Sequence, residues 1–207
     1  MRLLPALILT ITILRAQGIP PRVSAAEYLT HQQVGDVTIA AEFLGHSLPT
    51  SESILQSEDY VVVETALYGA TPDAKLKLSV DDFSLRINGK KTPLPGQPYE
   101  VVFKSLKDPE LEPTAAEQKE KTNSVSTGGS GKNNADANLP PPKYHPPIAL
   151  QRAWQQRVAK ASLLEGERQL PQAGWIYFEY RGKEQSIHSV ELIYSGSAGK
   201  LTMALQP

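Results

Sequence analysis

Residues Lys75–Lys91 read KLKLSVDDFSLRINGKK, and the fold turns on how they are read. Leu76, Leu78 and Val80 alternate with polar residues, which is the period of a half-buried strand. After Asp81-Asp82 the alternation resumes on the opposite parity, with Phe83, Leu85 and Ile87 apolar. An unbroken strand cannot change parity and keep one face buried. A bulge, or a corner where the chain passes to another sheet, can. Asp81-Asp82 is therefore expected at a corner, where aspartate can accept from nearby backbone N–H groups. Asn88-Gly89 follows, the dipeptide that best supplies two positive φ angles for a tight hairpin.

Working outward, Asp36–Gly45 (DVTIAAEFLG) reads as a strand with Val37, Ile39, Ala41 and Phe43 on one face. Glu58–Gly69 (EDYVVVETALYG) is β-branched and aromatic and stops at glycine, with Val61, Val63 and Leu67 inward. Tyr99–Leu106 (YEVVFKSL) reads as a further strand. Three more are expected near the end of the sequence: Gly174–Gly182, His188–Gly196 and Lys200–Gln206. SGSAG (Ser195–Gly199) joins the last two as an antiparallel hairpin. Residues 107–147 carry few apolar side chains and much Pro, Glu, Lys, Ser, Gly and Asn, a composition expected to be disordered. Ile148–Glu167 is the clear helix, with Leu150, Trp154, Val158, Ala161 and Leu164 recurring at helical spacing and Gly166 as a stop.

Composition narrows the function. The chain has 207 residues, 17 prolines, no cysteine and a net charge of −1. Near-zero charge gives no field that favours nucleic acid or an anionic membrane. The lack of cysteine removes thiol catalysis, disulfides and cysteine metal sites. Met1-Arg2 precedes an apolar run, Leu3–Leu14, too short to span a bilayer, which takes about 20 residues. Small residues follow at Ala16-Gln17-Gly18 and again at Ser24-Ala25-Ala26, two possible cleavage sites. Residues 1–26 are therefore expected to hold a signal peptide and a short N-terminal segment. An uncleaved N-terminal anchor is the alternative.

Residues 27–207 are expected to form one mainly β domain: an antiparallel, immunoglobulin-like β-sandwich of about seven or eight strands. A disordered insertion at 107–147 and a helix at 148–166 interrupt it. The segments EDYVVVETALYGATPDAKLKLSVDDFSLRINGKKTPL and LPQAGWIYFEYRGKEQSIHSVELIYSG, with LTMAL after them, resemble the bacterial extracytoplasmic immunoglobulin-like family called DUF4352, also described as telokin-like. Tyr60–Glu64 resemble its long strand, Asp82-Phe83 with Leu85 its dFxL motif, and Asn88-Gly89-Lys90 its hairpin. Gly174, Trp175, Phe178, Leu192, Tyr194 and Leu205 fall where its second half expects them. The usual asparagine after the long strand is replaced by Tyr68-Gly69-Ala70. The resemblance covers roughly 36–106 and 170–205 and implies a non-enzymatic envelope or secreted module.

Candidate chemistry is sparse. Asp81-Asp82, with Glu58 and Asp59 as possible neighbours, offers too few oxygens for calcium, which takes six to eight. His31, His46, His145 and His188 show no ligand-pair spacing. Glu64 and Glu179 lie mid-strand, where solvent-facing positions are expected. Gly128–Lys132 (GGSGK) lacks the spacing of a phosphate loop, and Pro141–Tyr144 (PPKY) reads as a stiff spacer. Trp175 and Tyr177 lie opposite Ile176 and Phe178, so both faces of that strand are partly apolar. The helix can cover the second face and bring Trp154 to Trp175, or the aromatics can form an exposed patch. No catalytic residue, cofactor or metal site is expected. The functional expectation is an exported, non-catalytic binding or structural module of the cell envelope or outside medium, meeting an unidentified protein or a cell-wall polymer. The competing expectation is a hydrolase or metal-dependent enzyme whose site assembles from distant loops.

Overall fold

The computed structural model describes residues 18–111 and 145–207. The apolar run Leu3–Leu14, the GGSGK and PPKY stretches and nearly all of the insertion lie outside the described residues. Among those described, no helix is long and apolar enough to cross a membrane.

The chain is mainly β and antiparallel. Its strands are β1 (Thr30–Val34), β2 (Val37–Gly45), β3 (Ser47–Pro49), β4 (Ile54–Ser57), β5 (Tyr60–Gly69), β6 (Lys75–Leu78), β7 (Phe83–Ile87), β8 (Leu94–Gln97) and β9 (Leu106–Lys107). Helix α1 (Ile148–Ala161) is followed by β10 (Gly166–Gln169), β11 (Gln172–Glu179), β12 (Val190–Gly196) and β13 (Gly199–Leu205). One eight-stranded sheet has the order β1-β2-β5-β11-β8-β7-β12-β13. It curls until its edges meet, where the Thr30 hydroxyl donates to the Ala204 carbonyl at 3.4 Å. Two small sheets, β10-β6 and β3-β4-β9, accompany it.

The parity change at Asp81-Asp82 is the passage between sheets. β6 pairs with β10, and β7 pairs with β8 and β12 in the large sheet. A single 3-10 turn, Val80–Asp82, joins them. Leu76, Leu78, Phe83, Leu85 and Ile87 all enter one buried core with Val61, Val63, Ile176 and Phe178. The capping group is Ser79, whose hydroxyl accepts from the Asp81 N–H at 3.3 Å. The Glu165 carboxylate accepts from the Ser79 hydroxyl at 3.2 Å and from the Val80 N–H at 3.1 Å. Val80, expected inward with the leucines, sits half-buried in the turn.

Asn88 and Gly89 take φ of +52° and +65°. They close a turn in which the Lys90 N–H donates to the Ile87 carbonyl at 3.2 Å, but the partner strand β8 begins only at Leu94. The Asn88 carboxamide instead ties down a distant loop. Its oxygen accepts from the His188 N–H at 2.7 Å and its nitrogen donates to the Ser186 carbonyl at 2.7 Å.

Two expectations need correction. Tyr99–Leu106 is not a strand: Tyr99–Ser105 winds into a 3-10 helix after Pro98, and only Leu106–Lys107 pairs as β9. Its i, i+3 set buries Val102 and Ser105, and the rings of Tyr99 and Phe103 stand 5.7 Å apart. Tertiary burial on a three-residue period has overridden β propensity. Helix α1 ends at Ala161, not Glu167, because the next residues are drawn to β11. The Leu163 N–H donates to the Trp175 carbonyl at 3.0 Å, and Gly166–Gln169 pairs with β6.

Candidate functional site

β5 and β11 lie side by side mid-sheet, and both of their faces are buried. Ile176 and Phe178 enter the main core, whereas Trp175 and Tyr177 point to a second core with Val62, Leu48, Leu55 and Val102. Helix α1 closes that second core with Trp154 and Val158. A chain of side chains fixes the helix end: the Ser162 hydroxyl donates to the Val158 carbonyl at 2.7 Å and meets the Tyr177 hydroxyl at 3.0 Å. Burial pushes the Tyr177 phenol well above its ordinary range, so it stays protonated. The approach is close enough to require Gly174, since a Cβ there would stand 2.4 Å from the Leu163 Cα.

Trp154 and Trp175 are only 2 % and 3 % exposed and share this core, which makes them packing residues and not an open patch. Neither indole N–H has a hydrogen-bond partner. Trp175 also forms part of the wall of two clefts. One, of about 280 Å³, is bounded by Ile19, Thr50, Glu64, Arg157 and Lys160. The other, of about 330 Å³, is bounded by Gln97, Tyr99, Leu164, Glu165 and Arg168 and reaches Tyr177. The first brings a carboxylate, two cations, of which Arg157 pairs with Glu52, two hydroxyl side chains and an apolar floor together beside a buried donor that lacks an acceptor.

Glu64 was expected to face solvent. Its side chain is only 14 % exposed, because residues 18–28 form a strap over the outer face of β2 and β5. Arg22 of the strap donates from Nη1 to Glu42 Oε1 at 2.6 Å and from Nη2 to Glu42 Oε2 at 2.7 Å. Its Nη2 lies 3.7 Å from Glu64 Oε1. The guanidinium sits 4.1 Å from the centre of the Tyr28 ring, and the Tyr68 hydroxyl donates to the Arg22 carbonyl at 2.9 Å. Glu42 and Glu64 are directly opposed partners across the β2–β5 ladder, so a single arginine holds two facing carboxylates. The hydrogen bonds from Arg22 hold the Glu42 carboxyl below its ordinary value. Burial raises that of Glu64, with Arg22 pulling against it and Glu42 adding to it.

The other expected residues do not come together. Glu58 pairs with Lys107, and Asp59 lies 3.3 Å from Arg181. Glu179 is exposed and also meets Arg181 at 3.3 Å. Asp82 is pushed up by burial, with the Ser79 backbone N–H opposing and Asp81 adding to the rise. His31, His145 and His188 are exposed. His46 is a staple: its Nδ1 stands 2.8 Å from the Ser57 carbonyl and 2.9 Å from that of Tyr60, and its Nε2 stands 3.0 Å from that of Gly182. Carbonyls only accept, so a neutral ring serves one side at a time and a doubly protonated ring serves both. Among the described residues no three His, Asp or Glu side chains gather as a metal-binding group.

What the sequence missed is the strap and, with it, the role of Glu64. The available signal was the paired acid positions, 42 and 64, in two strands that share a sheet, together with Arg22 ahead of β1. No family model, curated protein or solved structure matches the chain.

Proposed function

We propose that the chain is an exported, non-catalytic binding module of the cell envelope or exterior, and that it engages a cell-wall polymer at the cleft bounded by Glu64, Lys160 and Trp175. The observation that carries this is the cleft's composition: both signs of charge, two hydroxyl side chains and an apolar floor. Its volume, about 280 Å³, falls just below that of drug-sized ligand sites, which run from about 300 Å³ upward, and suits one sugar or one peptide unit of a polymer. Among the described residues Glu64 is the one carboxylate in its wall, where the competing hydrolase reading asks for two. The leader-like start of the sequence and the resemblance to the DUF4352, telokin-like family support the location.

The test is co-sedimentation of the purified exported protein with insoluble bacterial wall sacculi. Lys160 is exposed, so Lys160→Glu leaves the fold intact while inverting a charge at the cleft mouth. Sedimentation of the wild type that Lys160→Glu weakens at least several-fold is expected. A wild type that stays in the supernatant, or a variant that sediments equally well, would overturn the reading.

A further inference from the structure

We infer that the precursor is cut between Gly18 and Ile19, and not after Ala26. The inference rests on the export reading and deepens it. Both sites place small residues at the positions a signal peptidase reads, Ala16 and Gly18 in one case, Ser24 and Ala26 in the other. Sequence alone does not choose between them; the strap does.

Cleavage after Ala26 would remove Ile19, Arg22 and Ala25, three residues that the folded domain uses. Ile19 bridges to Ala173 at the start of β11 and packs on the second core. Ala25 packs against the cluster of Tyr28, Ala40, Ala66 and Ala173. Arg22 is the cation between Glu42 and Glu64, and its carbonyl is the acceptor for the Tyr68 hydroxyl. A chain beginning at Glu27 would leave two carboxylates directly opposed on adjacent strands without the arginine between them. Cleavage after Gly18 keeps every one of these contacts. It forfeits one backbone bond, from the Gly18 N–H to the Lys160 carbonyl.

The step is a hydrolysis. Water adds across the Gly18–Ile19 amide, the Gly18 carboxylate leaves with the leader, and Ile19 becomes an α-ammonium. Ile19 lines the same cleft as Glu64, so processing adds a cation to a cleft whose carboxylate is half-buried.

The full precursor is expressed in an exporting bacterial host, and the protein outside the cytoplasmic membrane is measured by intact mass and N-terminal sequencing. A chain beginning Ile19-Pro20-Pro21 is expected. Gly18→Arg, which puts a bulky residue beside the cut bond, should make the unprocessed precursor accumulate. Ala26→Arg, at an exposed position, should leave both processing and the Ile19 start unchanged. An exported chain beginning at Glu27, or Ala26→Arg blocking release, overturns the choice of bond alone. A chain that keeps Met1 and stays with the cells overturns the choice of bond together with the cleaved-export reading.

Discussion

Replacing Arg22 by alanine tests how the strap is held. The arginine makes two charge-assisted bonds to Glu42, with 33 % of its own side chain and 15 % of the glutamate's exposed. Hydrogen bonds to charged groups contribute about 1.5–3 kcal/mol each when buried, a figure that must be discounted for the arginine's access to water. Removing the cation also leaves Glu42 facing Glu64, a cross-strand repulsion of up to about 1 kcal/mol. The expected loss is about 2–3 kcal/mol at neutral pH, read as a lower urea midpoint at unchanged slope. The pH dependence has a definite sign. In the wild type the depressed Glu42 adds stability above the ordinary glutamate value of about 4.3, and this is lost as pH falls through its lower folded value. Glu64 acts oppositely: its raised value makes the ionised form a liability above that range. In Arg22→Ala both carboxyls are raised, so the deficit against wild type should shrink as pH falls through the glutamate range. Adding Glu64→Gln to Arg22→Ala should recover part of the loss by removing one of the facing charges. A cost under about 0.5 kcal/mol, or a deficit that grows on acidification, would refute the reasoning.

Four further outcomes follow from the same contacts. Asp82→Asn should be neutral or stabilising near pH 7, and its advantage should vanish on acidification, since burial raises the Asp82 carboxyl; urea unfolding at two pH values checks it. Ser79→Ala should cost about 1 kcal/mol through loss of the turn cap, measured by thermal melting. Gly174→Ala should cost about 1–3 kcal/mol or more, because the added methyl meets backbone and not a movable side chain; denaturant unfolding reads this. Tyr177→Phe should cost about 1 kcal/mol, the worth of its bond to Ser162, with little change in near-ultraviolet dichroism.

The corner at Asp81-Asp82 was legible because period-two alternation is strict: Leu76 and Leu78 on one side and Phe83, Leu85 and Ile87 on the other cannot share a face without a break. That both faces of β11 are apolar was legible for a related reason, as GWIYF has no polar side, although the sequence leaves its second face open between cover by the helix and an exposed patch. Other elements carried weaker signals. β1 reads THQQV and β10 reads GERQ, polar strands that exist through their pairing with β2 and β6. The segment YEVVFKS has strand-forming residues but no strand partner, and burial of Val102 made it helical. The candidate cleft was the least legible feature. A strap some forty residues earlier in the sequence folds back over β5, covers Glu64 and supplies part of the cleft wall, a long-range contact that no local period encodes.

Only two tryptophans are present, Trp154 on helix α1 and Trp175 on the strand face it covers, so they report directly on whether the second face of β11 is covered. Acrylamide quenching of Trp154→Phe and Trp175→Phe isolates each indole in turn. Blue-shifted emission from both, poorly quenched until denaturant unfolds the chain, is the predicted result. Red-shifted, freely quenched emission from the Trp175 indole in the native protein would contradict the account, because the second core and the cleft beside it would then not exist.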